Sequence, residues 1–301
     1  MDQNPPFFFG GYIYVCMRQI FLKTILAEAK LYAYSIDELF DMFLKFDGKT
    51  LVFLDSETVG LEPNTSYVQL TQIAAMAVDG STMEVVDDLS LKIELDSPLL
   101  RVLNEPESAE AKHLASDMAR RLKKYKRPDK HPRDILDMTG YHRSNATKVS
   151  EKEALQKLEE FLKRFPNVVL VIHNATFDLK AIQARRRYHK MAPLTRFPVI
   201  DSLKLSRFFF IPLLTSMGHV PEIQQMLSGM LAKTKYKSYA SNLGALAKAL
   251  KVDITNWHEA KEDVRMLFGV LTKMLEFLKA NRGGSIRKQQ GVAAKRFRRM
   301  P

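Results

Sequence analysis

Residues Leu51 to Leu61 read LVFLDSETVGL, and the fold turns on this stretch. Four apolar side chains in succession, Leu51-Val52-Phe53-Leu54, show no alternation, and Gly60 closes the run with a turn signal. An unbroken apolar run of this length fits a strand buried on both faces, with a buried helical turn as the competing reading. Asp55 and Glu57 follow at its end. In an extended backbone, residues i and i+2 project to the same side. The strand would therefore end in two carboxylates pointing together. Such a pair repels itself unless a cation lies between, and hard divalent ions take oxygen ligands. A solvated strand end that happens to carry acids is the bland alternative.

Outward from that strand, the chain alternates between strand and helix patterns. Asp47-Gly48 is a turn that delivers the chain into it. A second strand is expected over Val68–Val78, a hairpin at Asp79-Gly80, and a third strand over Met83–Ile93, giving an antiparallel meander. Ser150 with Glu153 forms a capping box, and Leu155, Leu158, Phe161 and Leu162 make the buried stripe of the helix it starts. Val168-Val169-Leu170-Val171-Ile172 is a second unbroken apolar run and reads as a second central strand. It ends in His173-Asn174-Ala175-Thr176-Phe177-Asp178, after which a helix follows. A short strand at Phe197–Ile200 ends in Asp201, which suits a turn or helix cap better than a metal. Residues 211–237 are apolar and Met-rich and resist assignment; for 217–231 within them, core or lid is favoured over a partner-binding site. The last helix, from Ala260 to Leu278, carries a helical stripe of Val264, Leu267, Phe268, Leu271, Met274, Leu275 and Leu278. His258 precedes it in a loop, and Asp263 stands in its first turn.

Asp55, Glu57, Asp178 and Asp263 thus all stand at the ends of buried elements. Carboxylates gathered this way suit a hard-metal site, and a histidine beside it is a candidate general base. The set of D-x-E at Asp55/Glu57, H-N-A-x-F-D at His173–Asp178 and H-x4-D at His258–Asp263 resembles the DEDDh, or DnaQ-like, 3′→5′ exonucleases. That group includes the proofreading subunit of bacterial replicative polymerase. Val199–Arg207 and Ser238–Leu246 are similar to the segments the family carries between its motifs, and the likeness covers about Lys49 to Ala280. The resemblance implies an α/β, RNase H-like fold, a mixed five-stranded sheet flanked by helices, three strands antiparallel and two parallel. It implies two divalent ions, Mg²⁺ or Mn²⁺. Asp55 would bridge both, Glu57 and Asp263 would bind the first, and Asp178 would support the second. His258 would take the proton from the attacking water. Thr58, Gly60 and Leu61 would meet the terminal nucleotide, and Asn174 and Phe177 would shape its pocket.

Composition agrees with a polyanionic partner. Lys and Arg number 46 against 34 Asp and Glu, a formal net charge of +12. Such a balance suits nucleic acid first and an anionic surface second. The single cysteine, Cys16, allows no internal disulfide and no Cys-based zinc site. It favours a reducing compartment, and a cytoplasmic location is expected. No membrane association is expected, since the apolar run Phe7–Met17 is broken by Gly10-Gly11 and stopped at Arg18, short of the roughly 20 residues of a span.

Three regions follow: a helical extension over 1–48, an exonuclease domain over 49–281, and a basic tail over 282–301 with little apolar content. The run Arg120–Arg127 reads as a solvated helix face or a phosphate-tracking patch. The expected substrate is the 3′ end of DNA, with RNA as the alternative. A non-catalytic nucleic-acid module on the same fold is the other alternative. A polymerase or another replication or repair protein is the expected protein partner.

Overall fold

The computed structural model describes residues 46–59, 69–95, 109, 112, 141, 147–195, 197–218, 220–230, 240–254 and 258–280. The extension over 1–45, Gly60 and Leu61, the basic run Arg120–Arg127 and the tail from 282 lie outside these residues.

β1 (Thr50–Thr58) lies inside the sheet, between β2 (Leu70–Asp79) and β5 (Val168–Ile172). With β3 (Val85–Ile93), β4 (Thr147–Val149) and β6 (Val199–Asp201) the order is β4-β3-β2-β1-β5-β6. β1 pairs antiparallel with β2 and β2 with β3; β1 pairs parallel with β5, β5 with β6, and β3 with β4. This is the expected RNase H-like arrangement, a mixed sheet flanked by helices, with one correction. The sheet has six strands rather than five. The addition is β4, which spans only Thr147–Val149 and so is too short for a two-residue period to show in the sequence.

The unbroken apolar run behaves as a strand covered on both faces. Leu51 and Phe53 enter one core, Val52 and Leu54 the other, and all four are fully buried. The β2–β3 hairpin is present, but its loop is longer than a two-residue turn, which moves the start of β3 from Met83 to Val85. Asp79 organises the loop, its Oδ1 accepting from the amides of Ser81 at 2.8 Å and Thr82 at 3.0 Å. Gly80 has no room for a side chain, because a Cβ there would run into the carbonyl of Phe46.

Helices cover both faces. On one side lie α1 (Glu151–Lys163) and α2 (Ala175–Tyr188). Ser150 caps α1 as expected, its Oγ accepting from the Glu153 amide at 3.3 Å, and the stripe Leu155, Leu158, Phe161, Leu162 is buried. After β6 come α3 (Ser202–Leu205), a π-helical turn (Ser206–Phe210), α4 (Ile211–Ser216), α5 (Pro221–Met230), α6 (Leu243–Ala249) and α7 (Ala260–Ala280). The segment that resisted assignment thus carries two helices, α4 and α5, separated by a turn, and lies outside the described residues after Met230; Ile223, Leu227 and Met230 are core on the α7 side. Among the described residues no helix is long and apolar enough to cross a membrane.

The arginine cluster of α2 is largely internal. Arg185 and Glu151 are both buried, with Nε at 2.8 Å from Oε1 and an Nη2–Oε2 contact of 2.7 Å. Glu151 Oε1 also accepts from the Leu70 amide at 2.9 Å, and His189 Nε2 lies 2.7 Å from its Oε2. Glu151 therefore ties α1, α2 and the first residue of β2 together. Arg186 is buried as well, donating to the carbonyl of Ala192 at 2.7 Å and to Glu159 at 2.6 Å. Removing one member of a buried pair strands the other charge, at a cost of about 3–5 kcal/mol. Glu151→Leu is therefore expected to lower unfolding stability by that amount in urea titration. A loss below about 1 kcal/mol, the scale of a surface pair, would show that the pair does not hold these elements together.

Candidate metal centre

The site forms where the ladder between β1 and β5 gives out. That ladder runs from Thr50–Val168 to Phe53–Val171 and stops. Beyond it the edge of β1 facing β5 needs another acceptor, since a buried amide without one is costly. Asp178 supplies it. Its Oδ1 accepts from the Ser56 amide at 3.0 Å and from the Ser56 hydroxyl at 2.7 Å. Asp178 sits in the first turn of α2, which begins at Ala175, directly after the strand. The reversal is made by Asn174, whose φ of 67° lies in the left-handed region that asparagine tolerates. Asn174 is exposed and Phe177 half-buried, and the Phe177 amide donates to the Asn174 carbonyl at 2.8 Å.

Asp55 and Glu57 project on the opposite side of β1 from Ser56, toward α7. The alternation along β1 shows it: both are half-buried, while Ser56 and Thr58 are buried. A β-bulge between Glu57 and Thr58 ends the regular register with β2 there. From α7, Asp263 reaches the same place and is 7% exposed. Glu57, Asp263 and His258 form a triad whose ligand atoms all lie within 4.8 Å of one another. His258 holds a left-handed backbone, φ 72°, and its amide lies 3.4 Å from Asp263 Oδ1. The turn before α7 thus aims both the imidazole and a peptide N–H at the cluster.

The electrostatics show what such crowding costs. Burial, and then the charges of Asp178, Glu57 and Asp263, push the Asp55 carboxyl well above the usual carboxylate range. Burial, and then Asp263 and Asp178, do the same to Glu57. Burial lifts Asp178 to about 7 despite the opposing hydrogen bonds from Ser56. Asp263 is likewise raised to about 7, mainly by burial. Coupled acids with this much excess negative charge take up either protons or cations. An all-carboxylate set with one imidazole suits a hard divalent ion, so the residues fit the metal that the motifs imply.

The neighbouring polar residues have structural partners. His173 Nδ1 lies 2.8 Å from the Ser202 hydroxyl, and burial lowers its pKa to about 4. Asp201 caps α3 as expected, accepting from the amides of Leu203 at 3.1 Å and Lys204 at 3.3 Å. Thr58 is buried at the bulge. Two supporting residues lie outside the sequence motifs' named positions. Ser56 stood only as the spacer of D-x-E. Gln72 lies within a strand-like run, yet its Oε1 accepts from the buried Ala260 amide at 3.3 Å and so ties β2 to the first residue of α7. A lone amide side chain in an otherwise apolar run, as in Leu70–Val78, is the signal that could have marked it.

No family model matches this chain. Over 147 residues, 48% of the chain, it is 30% identical to a PolC-type DNA polymerase III of Streptococcus mutans. Over 131 residues it is 31% identical to the PolC-type enzyme of Streptococcus agalactiae serotype III. The chain spans only 8% and 7% of the length of these two relatives. Among solved structures, E. coli exonuclease I in complex with a dT13 oligonucleotide is similar with a TM-score of 0.47 at 14% identity, covering 77% of this chain and 42% of that one. Cell-death related nuclease 4 is similar with a TM-score of 0.48 at 14% identity, covering 77% and 66%.

Raised carboxyl pKa values have a definite sign in stability. Asp178 and Asp263 move from an unfolded value of 3.8 to about 7. Their contribution is fully present below the unfolded value and is lost as pH rises through the folded one. The metal-free protein is therefore expected to lose thermal stability between about pH 4 and pH 7, in the sense that linkage gives. Mn²⁺ should restore it, more strongly at pH 8 than at pH 5. A Tm that rises over this window without metal would overturn the assignment of buried, mutually repelling acids.

Proposed function

We propose that this chain is a metal-dependent 3′→5′ exonuclease that removes nucleotides from the 3′ end of DNA, single-stranded or frayed, and releases nucleoside 5′-monophosphates. The observation that carries this reading is the convergence of acids from three separate motifs with His258 at one buried place. The alternative of a binding module without catalysis gives no reason to retain that many repelling carboxylates. The exonuclease unit is assigned to 49–281, flanked by the extension and the basic tail.

Bound divalent ions, Mg²⁺ or Mn²⁺ and two per site, would lower the pKa of water and offset the charge developing on the scissile phosphate. Asp55, Glu57 and Asp263 would hold the first ion, and Asp55 with Asp178 the second. Ser56 fixes the orientation of Asp178 by occupying its Oδ1 and leaves Oδ2 to the site. His258 takes the proton from the attacking water, a role that requires its imidazole neutral. The new P–O bond forms as the bond to the 3′ oxygen of the preceding nucleotide breaks, leaving a shortened strand and a 5′-monophosphate. Thr58, Gly60 and Leu61 are assigned to the terminal nucleotide, and Asn174 and Phe177 to its pocket. The PolC-type matches support association with a polymerase or another replication or repair protein.

Three measurements test this. Digestion of 5′-labelled single-stranded DNA should give a ladder shortening from the 3′ end, faster than for RNA of the same sequence; the reverse preference would reassign the substrate. EDTA or Asp55→Ala should abolish hydrolysis, and wild-type turnover in either would sink the metal mechanism. His258→Ala should lower kcat by roughly 10²–10⁴-fold, the range for a lost general base, and remove the acid limb of the pH–rate profile. If that variant keeps the single-turnover rate and the acid limb, another group is the base.

A further inference from the structure

The sheet register places one row of side chains across the face that carries the acids. Glu57 pairs with Gln72, Gln72 with Lys92, and Lys92 with Lys148. Residues directly opposite one another point to the same face, so all four project on the side of α7. The two cations end the row on β3 and β4. Like charges placed directly opposite on neighbouring strands destabilise a sheet. Lys148 is exposed, and among the described residues no carboxylate lies within ion-pair distance of it. Lys92 is held rather than free. Its Nζ stands 4.6 Å above the ring of Tyr141, which is itself fixed by a 2.9 Å bond from its hydroxyl to the Ile93 carbonyl. Burial, and then the charge of Lys148, lower the pKa of Lys92, and Glu259 opposes them. Past the other edge strand, β6, the cation of Lys204 on α3 has a carboxylate partner, Asp201 at 3.5 Å.

We infer that Lys92 and Lys148 form a phosphate-binding row that holds the nucleic-acid backbone several nucleotides away from the end being cut. This rests on the exonuclease reading of the acid cluster and assigns the path of the strand behind the 3′ end. At ~4.8 Å between strands, Lys92 lies about 10 Å and Lys148 about 14 Å from Glu57 across the sheet. With a rise of ~3.4 Å per stacked nucleotide, the row meets the backbone about three to four nucleotides from the acids. The chemistry recognised is the phosphodiester backbone, which DNA and RNA share.

The test crosses chain length with charge. The double variant Lys92→Gln/Lys148→Gln is compared with the wild type and with Lys92→Arg/Lys148→Arg. The substrates are the p-nitrophenyl ester of thymidine 5′-monophosphate, a dT trimer, a dT 12-mer and a U 12-mer. The glutamine variant should handle the ester and the trimer within about twofold of wild type. On the 12-mers it should raise KM at least fivefold with kcat unchanged, and its log–log salt slope should flatten by about 1.4, two phosphates at ~0.7 each. The arginine variant should restore both. An unchanged 12-mer KM and salt slope would overturn the row, as would an equal loss on the trimer, which would mean that the lysines act on the cutting site. If the wild type cleaves none of these, the exonuclease reading has failed. Anisotropy of the labelled 12-mers then still decides the row, through the same difference in salt slope.

Discussion

Mutual repulsion among buried carboxylates is the constraint that the rest of the molecule answers to. Asp55, Glu57, Asp178 and Asp263 each hold protons more tightly because of burial, and Asp55 and Glu57 also because of the other acids. A fold that merely needed stability would not gather them. Keeping them together takes a rigid frame, and the frame is supplied by strands and helices whose own interactions are strong. The buried Glu151–Arg185 pair and the two apolar cores hold β1, β2, α2 and α7 against the tendency of the acids to separate.

Each acid arrives on a different element, so the site depends on register rather than on local sequence. Asp55 and Glu57 face α7 only because β1 pairs with β2 in the register that sets Glu57 against Gln72. A slip by one residue would turn both to the other face. Asp178 is fixed by filling the acceptor position that β5 vacates beyond Phe53, and Asp263 by the seating of α7 on Gln72. The left-handed turns at Asn174 and His258 are where the chain bends to make these seatings.

The central elements were legible because their signals are local. Unbroken apolar runs mark β1 and β5, a helical stripe marks α7, and Ser150 with Glu153 marks the start of α1. Spacing placed the acids and His258 at element ends, and the structure brings Glu57, Asp263 and His258 together. What the sequence hid is long-range. β4 is too short to show a period, and nothing local marks Arg185 and Arg186 as buried, since their partners Glu151 and Glu159 stand 34 and 27 positions away. Ser56 and Gln72 gain their roles only from residues 122 and 188 positions away. The Asp79-Gly80 signal found the hairpin but not its loop length, because Asp79 bonds to the amides of Ser81 and Thr82 and so enlarges the turn.

The distribution of charge separates two tasks. The chain as a whole is basic, +12, while its candidate centre is a concentration of acids. Long-range attraction of a polyanion follows the first sign, and local contact with a phosphate would oppose the second. Divalent cations bound among the acids would reverse the local sign. Screening sharpens the division, because at physiological salt a field fades over about 8 Å. Basic residues within that distance of a bound strand therefore count for most in holding it. The lysine row proposed on β3 and β4 would lie beyond that distance from the acids, far enough along the sheet to hold the strand behind the end being cut without acting on the acid cluster itself.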